Sequence, residues 1–291
     1  MLVTLKEILD IAEKKEFAIP AFNVYNMETV MGIIAAAEEA KAPVILQAYS
    51  RLFHNEEGYF LAPIVLAAAK QARVPVCFHI DHGAGEYEVT RAMRYGVSGV
   101  MIDGSAEPYE KNVAITRRVV ETAAAVGLQV EGELGHVGSA NDDAMDEFTN
   151  VAEAADFVKK TGVCCLAVLV GTAHGHYKKP PKLDIERIRD IKAAAGIPLV
   201  LHGGSGVPDE EIVAAVKAGI RKVNFGTDVC FSFLDQVFAT SREVYALDLF
   251  MKDAVQNVKK LPLAKLSCWV RSIRHEQCGC RHWRLCDGYA G

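Results

Sequence analysis

The 291-residue chain has no apolar run long enough to span a membrane. Its opening, MLVTLKEILDIAEKKEFAIPAF, interrupts every short apolar stretch with charge, so no secretory signal is expected and a cytoplasmic location is. Excess positive charge is also lacking: Lys and Arg total 32 against 37 Asp and Glu, a formal net charge of -5. That excludes a global basic field of the kind that draws proteins to nucleic acid or anionic membranes, and leaves small molecules as the expected ligands. Of the eight cysteines, Cys77, Cys164, Cys165 and Cys230 lie in or beside apolar segments, where buried reduced thiols are expected rather than a disulfide framework. No linker rich in Pro, Gly and Ser and no internal repeat divides the chain, so one domain is expected.

What is present is alternation. Short β-branched or apolar runs alternate with longer Ala/Glu/Lys-rich segments of helical period up to about residue 260, the pattern of a parallel sheet wrapped by helices. Eight runs can be counted: approximately Phe17 to Val24, Pro43 to Ala48, Val74 to Ile80, Gly99 to Ile102, Gln129 to Glu133, Leu166 to Val170, Leu199 to His202 and Lys222 to Asn224. Val30 to Lys41, Ile64 to Ala72, Val113 to Ala125 and Glu210 to Ala218 read as intervening helices. Eight strands close a (β/α)8 TIM barrel, for which the chain length is suitable; an open doubly wound sheet is the alternative. The barrel is expected over residues 1–260, followed by an atypical, disordered tail over 261–291.

Polar residues gather at the ends of these runs. Asp81 and His82 follow the third, Asp103 the fourth, Glu131 and Glu133 end the fifth, His174 follows the sixth, His202 ends the seventh and Asn224 the eighth. In a barrel the C-terminal strand ends share one mouth, so these residues should meet there. Three neutral imidazoles from separate strands can hold one zinc ion and leave a position open, which makes His82, His174 and His202 the candidate ligands. Glycine follows each of them, permitting close backbone approach to a bound group. His79, His136 and His176 are rivals, although strand alternation puts His79 on the side opposite His82 and marks it as core.

The segments His202-Gly203-Gly204-Ser205-Gly206 and Asn224-Phe225-Gly226-Thr227-Asp228 follow adjacent strands and can present backbone N–H groups to a phosphate. Neither has the Gly-x-x-x-x-Gly-Lys-Ser/Thr spacing of a nucleotide-binding loop.

With AFNVYN, HIDHG, MIDGS, VEGELGHVG, VGTAHGHY, PKLDIERI, PLVLHGGSG and KVNFGTD in this order, the chain resembles the class II, metal-dependent ketose-bisphosphate aldolases, including the fructose and tagatose enzymes. The resemblance runs from about Met1 to Lys260. It implies one catalytic zinc ion on His82, His174 and His202, with Asp81 exchanging a proton with the C4 hydroxyl of a phosphorylated ketose. It also implies dihydroxyacetone phosphate held by Gly175, Gly203, Gly204, Ser205, Asn224, Phe225, Gly226 and Thr227, and a homodimer or higher homo-oligomer. Asp103, Glu131 and Glu133 suit an additional cation or the orientation of the histidines.

The chain departs from the family pattern in three places. Asn141 stands where the bisphosphate enzymes carry a loop glutamate that serves proton transfer at C1 of the dihydroxyacetone phosphate unit, leaving Asp142 or Asp143 as its replacement. Gly135 to Gly138 reads Gly-His-Val-Gly rather than Gly-Arg-Leu-Gly. After Lys260 the usual ending is lost, and His275, Cys278, Cys280, His282 and Cys286 match no zinc module. Fructose or tagatose 1,6-bisphosphate, or a related ketose 1-phosphate, is the expected substrate. A non-catalytic barrel subunit of an aldolase complex and a metal-dependent hydrolase are the competing readings.

Overall fold

The computed structural model describes residues 1–137, 148–175, 177 and 180–277, with 267–277 as backbone only. Eight parallel strands form the sheet: β1 (Ile19–Asn23), β2 (Val44–Tyr49), β3 (Val76–Asp81), β4 (Val100–Met101), β5 (Val130–Leu134), β6 (Cys165–Val168), β7 (Leu199–Leu201) and β8 (Ile220–Phe225). Their order is β3-β2-β1-β8-β7-β6-β5-β4, so β1 pairs with both β2 and β8, and a single bridge between His79 and Gly99 joins the two ends. This is a (β/α)8 TIM barrel and one domain, which removes the doubly wound alternative.

Helix α1 (Leu5–Lys14) precedes β1, and α2 (Met27–Ala40) follows it. Next come α3 (Ser50–His54) and α4 (Glu57–Gln71) after β2, α5 (Glu86–Arg94) after β3, α6 (Tyr109–Ala124) after β4 and α7 (Val151–Thr161) after β5. The last are α8 (Ile185–Ala195) after β6, α9 (Asp209–Ala218) after β7, and α10 (Thr227–Ala239) and α11 (Leu247–Gln277) after β8. Local chemistry sets several boundaries. Thr4 and Glu7 form a reciprocal capping box at α1, a device contributing about 1 kcal/mol, and α7 and α8 stop at the left-handed Gly162 and Gly196.

Alternation along each strand divides the core in two. Phe22, Leu46, Phe78, Ile80, Leu166, Val168, Leu201 and Phe225 point outward beneath the helices. Ile19, Ala21, Ile45, Cys77, Cys165, Ala167 and Val200 point inward and pack on Leu5, Ile8, Leu9 and Ala12 of α1, which plugs the floor of the barrel. Polar side chains can therefore accumulate only above this apolar layer, at the opposite mouth. Among the described residues no helix is long and apolar enough to cross a membrane.

Candidate metal centre and ligand cavity

A belt of buried polar side chains lies directly above the apolar floor. Gln47 donates to Asn23 Oδ1 at 2.9 Å, and Asn23 donates to Asp81 Oδ2 at 2.8 Å. Asn224 donates to the other Asp81 oxygen at 3.2 Å. Lys222, fully buried, links Asn224 Oδ1 to Glu131 Oε2, at 2.8 Å to each, and Glu131 Oε1 lies 2.9 Å from His202 Nε2. Burial works to raise the Asp81 pKa, but the His82 and His202 imidazoles, Lys222 and the Asn23 amide outweigh it and hold the carboxyl below its ordinary value. Burial likewise opposes ionisation of Glu131, yet Lys222, His202 and His79 hold it well below the usual carboxylate range. The belt thus favours the ionised form of Asp81, a buried side chain with both oxygens held.

Three imidazoles meet beside it. Donor atoms of His82, His174 and His202 lie within 4.8 Å of one another, and the set His82, Asp103 and Glu133 meets the same limit. Carboxylates occupy the outward nitrogens: Asp103 Oδ2 is 2.7 Å from His82 Nδ1, and Glu131 takes His202 Nε2. The remaining nitrogens, His82 Nε2 and His202 Nδ1, face each other at 3.1 Å. His174 Nε2 and Glu133 Oε2 are buried without a hydrogen-bond partner. An orphaned imidazole nitrogen and two rings fixed from behind by carboxylates fit a divalent cation.

The electrostatics point the same way. Burial disfavours charge on His82, but Asp81, Asp103 and Glu133 raise its pKa to about 10. His174 is pushed down to about 3 by burial and by repulsion from His82 and His202, while burial and nearby Asp103 lift Glu133 to about 8. The carboxylates beside His82 thus favour positive charge at the cluster, which suits a cation there.

His79 departs from the sequence expectation in one respect. Strand alternation ends at Asp81, because His82 adopts a left-handed φ of 47° that turns the chain. His79 and Asp81 consequently share the inward face. His79 sits one layer below the cluster, with Nε2 3.3 Å from Glu131 Oε2, as a core residue supporting the belt.

The cluster opens into a cavity of about 610 Å³. Gly175, Gly203, Ser205, Asn224, Gly226 and Thr227 line it, together with Asp81, His82, Asp103 and His174. Gly203 has φ of 68°, and a Cβ there would lie 2.3 Å from Ala173 O, so only glycine allows the β6 and β7 loops to close together. The first turn of α10 begins here, with the Asp228 N–H donating to Ser205 Oγ at 3.1 Å and tying the β7 loop to a helix N-terminus, a position that suits an anion. Gly204 and Phe225 stand away from the cavity: Gly204 packs against Val223, and the Phe225 ring stacks on Phe22 at 5.4 Å in the outer core. Gly83 is needed for packing against Met101 O rather than for access to a bound group.

His136 lines the cavity, with Nδ1 3.2 Å from Ser105 Oγ, outside the three-histidine set. Gly138, Asn141, Asp142, Asp143, His176, Cys278, Cys280, His282 and Cys286 lie outside the described residues, and the side chain of His275 is likewise not described. Sequence reasoning missed Asn23, Gln47 and Lys222 in the belt, and Tyr25, Tyr49 and Cys230 in the cavity wall. The available signal was a polar residue within an otherwise apolar run, two positions from another inward residue, as Lys222 is from Asn224.

Comparison with known proteins follows the same span. The family described as fructose-bisphosphate aldolase class-II matches residues 3–272. A fructose-bisphosphate aldolase of Geobacillus stearothermophilus is 40% identical over 253 residues, covering 85% of this chain and 87% of that protein. A probable fructose-bisphosphate aldolase of Bacillus subtilis is 35% identical over 274 residues, covering 91% and 96%. Among solved structures, the YdjI aldolase of Escherichia coli K12 superposes with a TM-score of 0.84 at 33% identity, covering 92% of this chain and 97% of that one.

Proposed function

From the premise that the chain belongs to the class II fructose-bisphosphate aldolase family, we propose that it is a zinc-dependent aldolase cleaving a phosphorylated ketose to dihydroxyacetone phosphate and an aldehyde. The substrate class is fructose or tagatose 1,6-bisphosphate or a related ketose 1-phosphate. The observation that carries this reading is the juxtaposition of a doubly anchored, ionised Asp81 with three histidines whose donor atoms converge on one point.

His82, His174 and His202 would hold the metal. When bound, zinc supplies a Lewis acid that withdraws electron density from the ketose carbonyl. Asn23 and Asn224 leave Asp81 able to accept a proton while preventing its rotation. Asp81 takes the C4 hydroxyl proton, the O–H electrons form the aldehyde carbonyl, and the C3–C4 bonding electrons pass toward the C2 carbonyl. Asp103 and Glu131 orient the imidazoles, and the unpartnered Glu133 Oε2, in the set with His82 and Asp103, suits an additional cation. The loop at Gly203 to Ser205 and the α10 N-terminus receive the phosphate and exclude water from that end.

Exposed Phe231, Leu234 and Phe238 on α10, with Tyr245, Leu247 and Leu249 beyond it, support a homo-oligomer, which sedimentation would test. The decisive experiment for the activity is carbon–carbon cleavage of the candidate ketoses before chelation, after it, and after return of zinc. Chelator-sensitive, zinc-restored release of dihydroxyacetone phosphate is expected. Hydrolysis without carbon–carbon cleavage would favour the metal-dependent hydrolase, and inertness of the zinc-loaded chain would favour the non-catalytic subunit.

A further inference from the structure

The aldehyde half of the substrate also needs a receiving surface. With the phosphate at the β7 and β8 loops and C4 at Asp81, the wall formed after β1 and β2, where Tyr25, Tyr49 and Arg51 line the same cavity, is open to the carbons beyond C4. There Tyr49 is the register partner of Asp81, and its ring lies 5.8 Å from that of His82. The Arg51 guanidinium lies over the ring of the same tyrosine, 4.8 Å from its centroid. Arg51 and His82 therefore contact the same aromatic ring at the cavity wall.

Among the described residues lining the cavity, Arg51 is the sole lysine or arginine. No hydrogen-bond acceptor or carboxylate among the described residues engages its N–H groups, although the chain carries a net charge of -5. Its charge reaches both phenols of the wall, opposing the rise that burial produces in the Tyr25 and Tyr49 pKa values. The ring contact engages the guanidinium carbon and leaves its N–H groups to receive a carboxylate or phosphate through paired hydrogen bonds. A merely solvated arginine would contact the ring equally well; lining the ligand cavity without a counter-charge among the described residues is what gives this one a binding role.

We propose that Arg51 is the specificity residue for an anionic group, carboxylate or phosphate, on the far end of the aldehyde half, an inference that rests on the aldolase reading. The test uses zinc-loaded wild type, Arg51→Met and Arg51→Lys. Calorimetry would measure binding of three ketone-free probes that cannot be cleaved: a hexitol 1-phosphate, a hexitol 1,6-bisphosphate, and a six-carbon aldonate bearing phosphate at the opposite end. Wild type should prefer one or both doubly anionic probes over the hexitol 1-phosphate. Arg51→Met should reduce that preference by about 10- to 100-fold, and Arg51→Lys by less, because it keeps the charge but loses the paired donors.

The probe with the larger loss identifies phosphate or carboxylate as the anion. Equal weakening for all three probes would overturn the proposal by moving Arg51 to the 1-phosphate end or to a structural role, and an unchanged preference would overturn it outright. Turnover is scored separately. If zinc-loaded wild type cleaves no ketose phosphate, the aldolase reading falls, while the binding preference still decides the role of Arg51.

Discussion

The two ends of the cavity are built from different materials. At the β7 and β8 end the surface is backbone: glycines in left-handed conformation, a helix terminus, and a buried belt that fixes Asn224 through Lys222. At the β1 and β2 end it is side chain: Tyr25, Tyr49 and Arg51, the last exposed and without a hydrogen-bonded partner among the described residues. A backbone subsite is over-determined, because each donor is placed by strands and turns that also hold the barrel together. A side-chain subsite can change by one substitution without disturbing the fold. One end should therefore specify a group common to many substrates, and the other should decide among them.

The largest effect is expected where both ends depend on the reacting centre. His174→Ala should remove the metal and lower activity by at least about 10³-fold, given the several kcal/mol that Lewis-acid catalysis contributes. Its ring makes no hydrogen bond among the described residues through Nε2, so the fold should survive. Zinc analysis of the purified variant is the check, and full occupancy at this site would remove His174 from the ligand set. Asp81→Asn should retain zinc and fold but lose about 10²- to 10⁴-fold in kcat, since an amide cannot take the C4 proton. Wild-type turnover in that variant would place the proton acceptor elsewhere.

Gly203→Ala tests the backbone end. The methyl group meets Ala173 O and the φ of 68° disfavours alanine, so a stability loss of about 1–3 kcal/mol and a raised KM for every phosphorylated donor are expected. Denaturant melts and steady-state kinetics measure the two effects. Tyr49→Phe tests the other end, and because the ring that supports Arg51 is kept, kcat/KM should change by less than about fivefold. A penalty in kcat/KM as large as that of Gly203→Ala would break the distinction between the two ends.

The sequence exposed the architecture and the reacting centre more readily than what supports them. Eight apolar runs ending in Asp81, Asp103, Glu133, His202 and Asn224 are visible because strands alternate with helices and strand ends share a mouth. The α1 plug was overlooked, although Thr4-x-x-Glu7 marks its start, because its apolar face has meaning only against the inward residues of five strands. Asn23, Gln47 and Lys222 were overlooked for a related reason: a single inward polar residue acquires a partner only when the radial order of strands is known. The parity argument for His79 failed at His82, where one left-handed residue ends the alternation. Exposure of Arg51 alone carried little information before the cavity and the stacked tyrosine were in view.

The pairing of β3 with its neighbours has a mechanical consequence. β2 and β3 are joined in register from Val44 and Val76 to Tyr49 and Asp81, whereas the β3–β4 joint has one bridge, His79 with Gly99, supported by backbone hydrogen bonds from the Ser98, Gly99, Ile80 and Asp103 N–H groups. The regular ladder is shortest at this joint, and the His82–Asp103 contact at 2.7 Å crosses it. Metal capture would then act as a clasp, since immobilising His82 also secures the carboxylate from the far side of the gap. Amide exchange at Ile80 and Gly99 should slow on metal loading more than exchange along the β1–β2 ladder, with ligand binding and closure of the hoop expressed as one event.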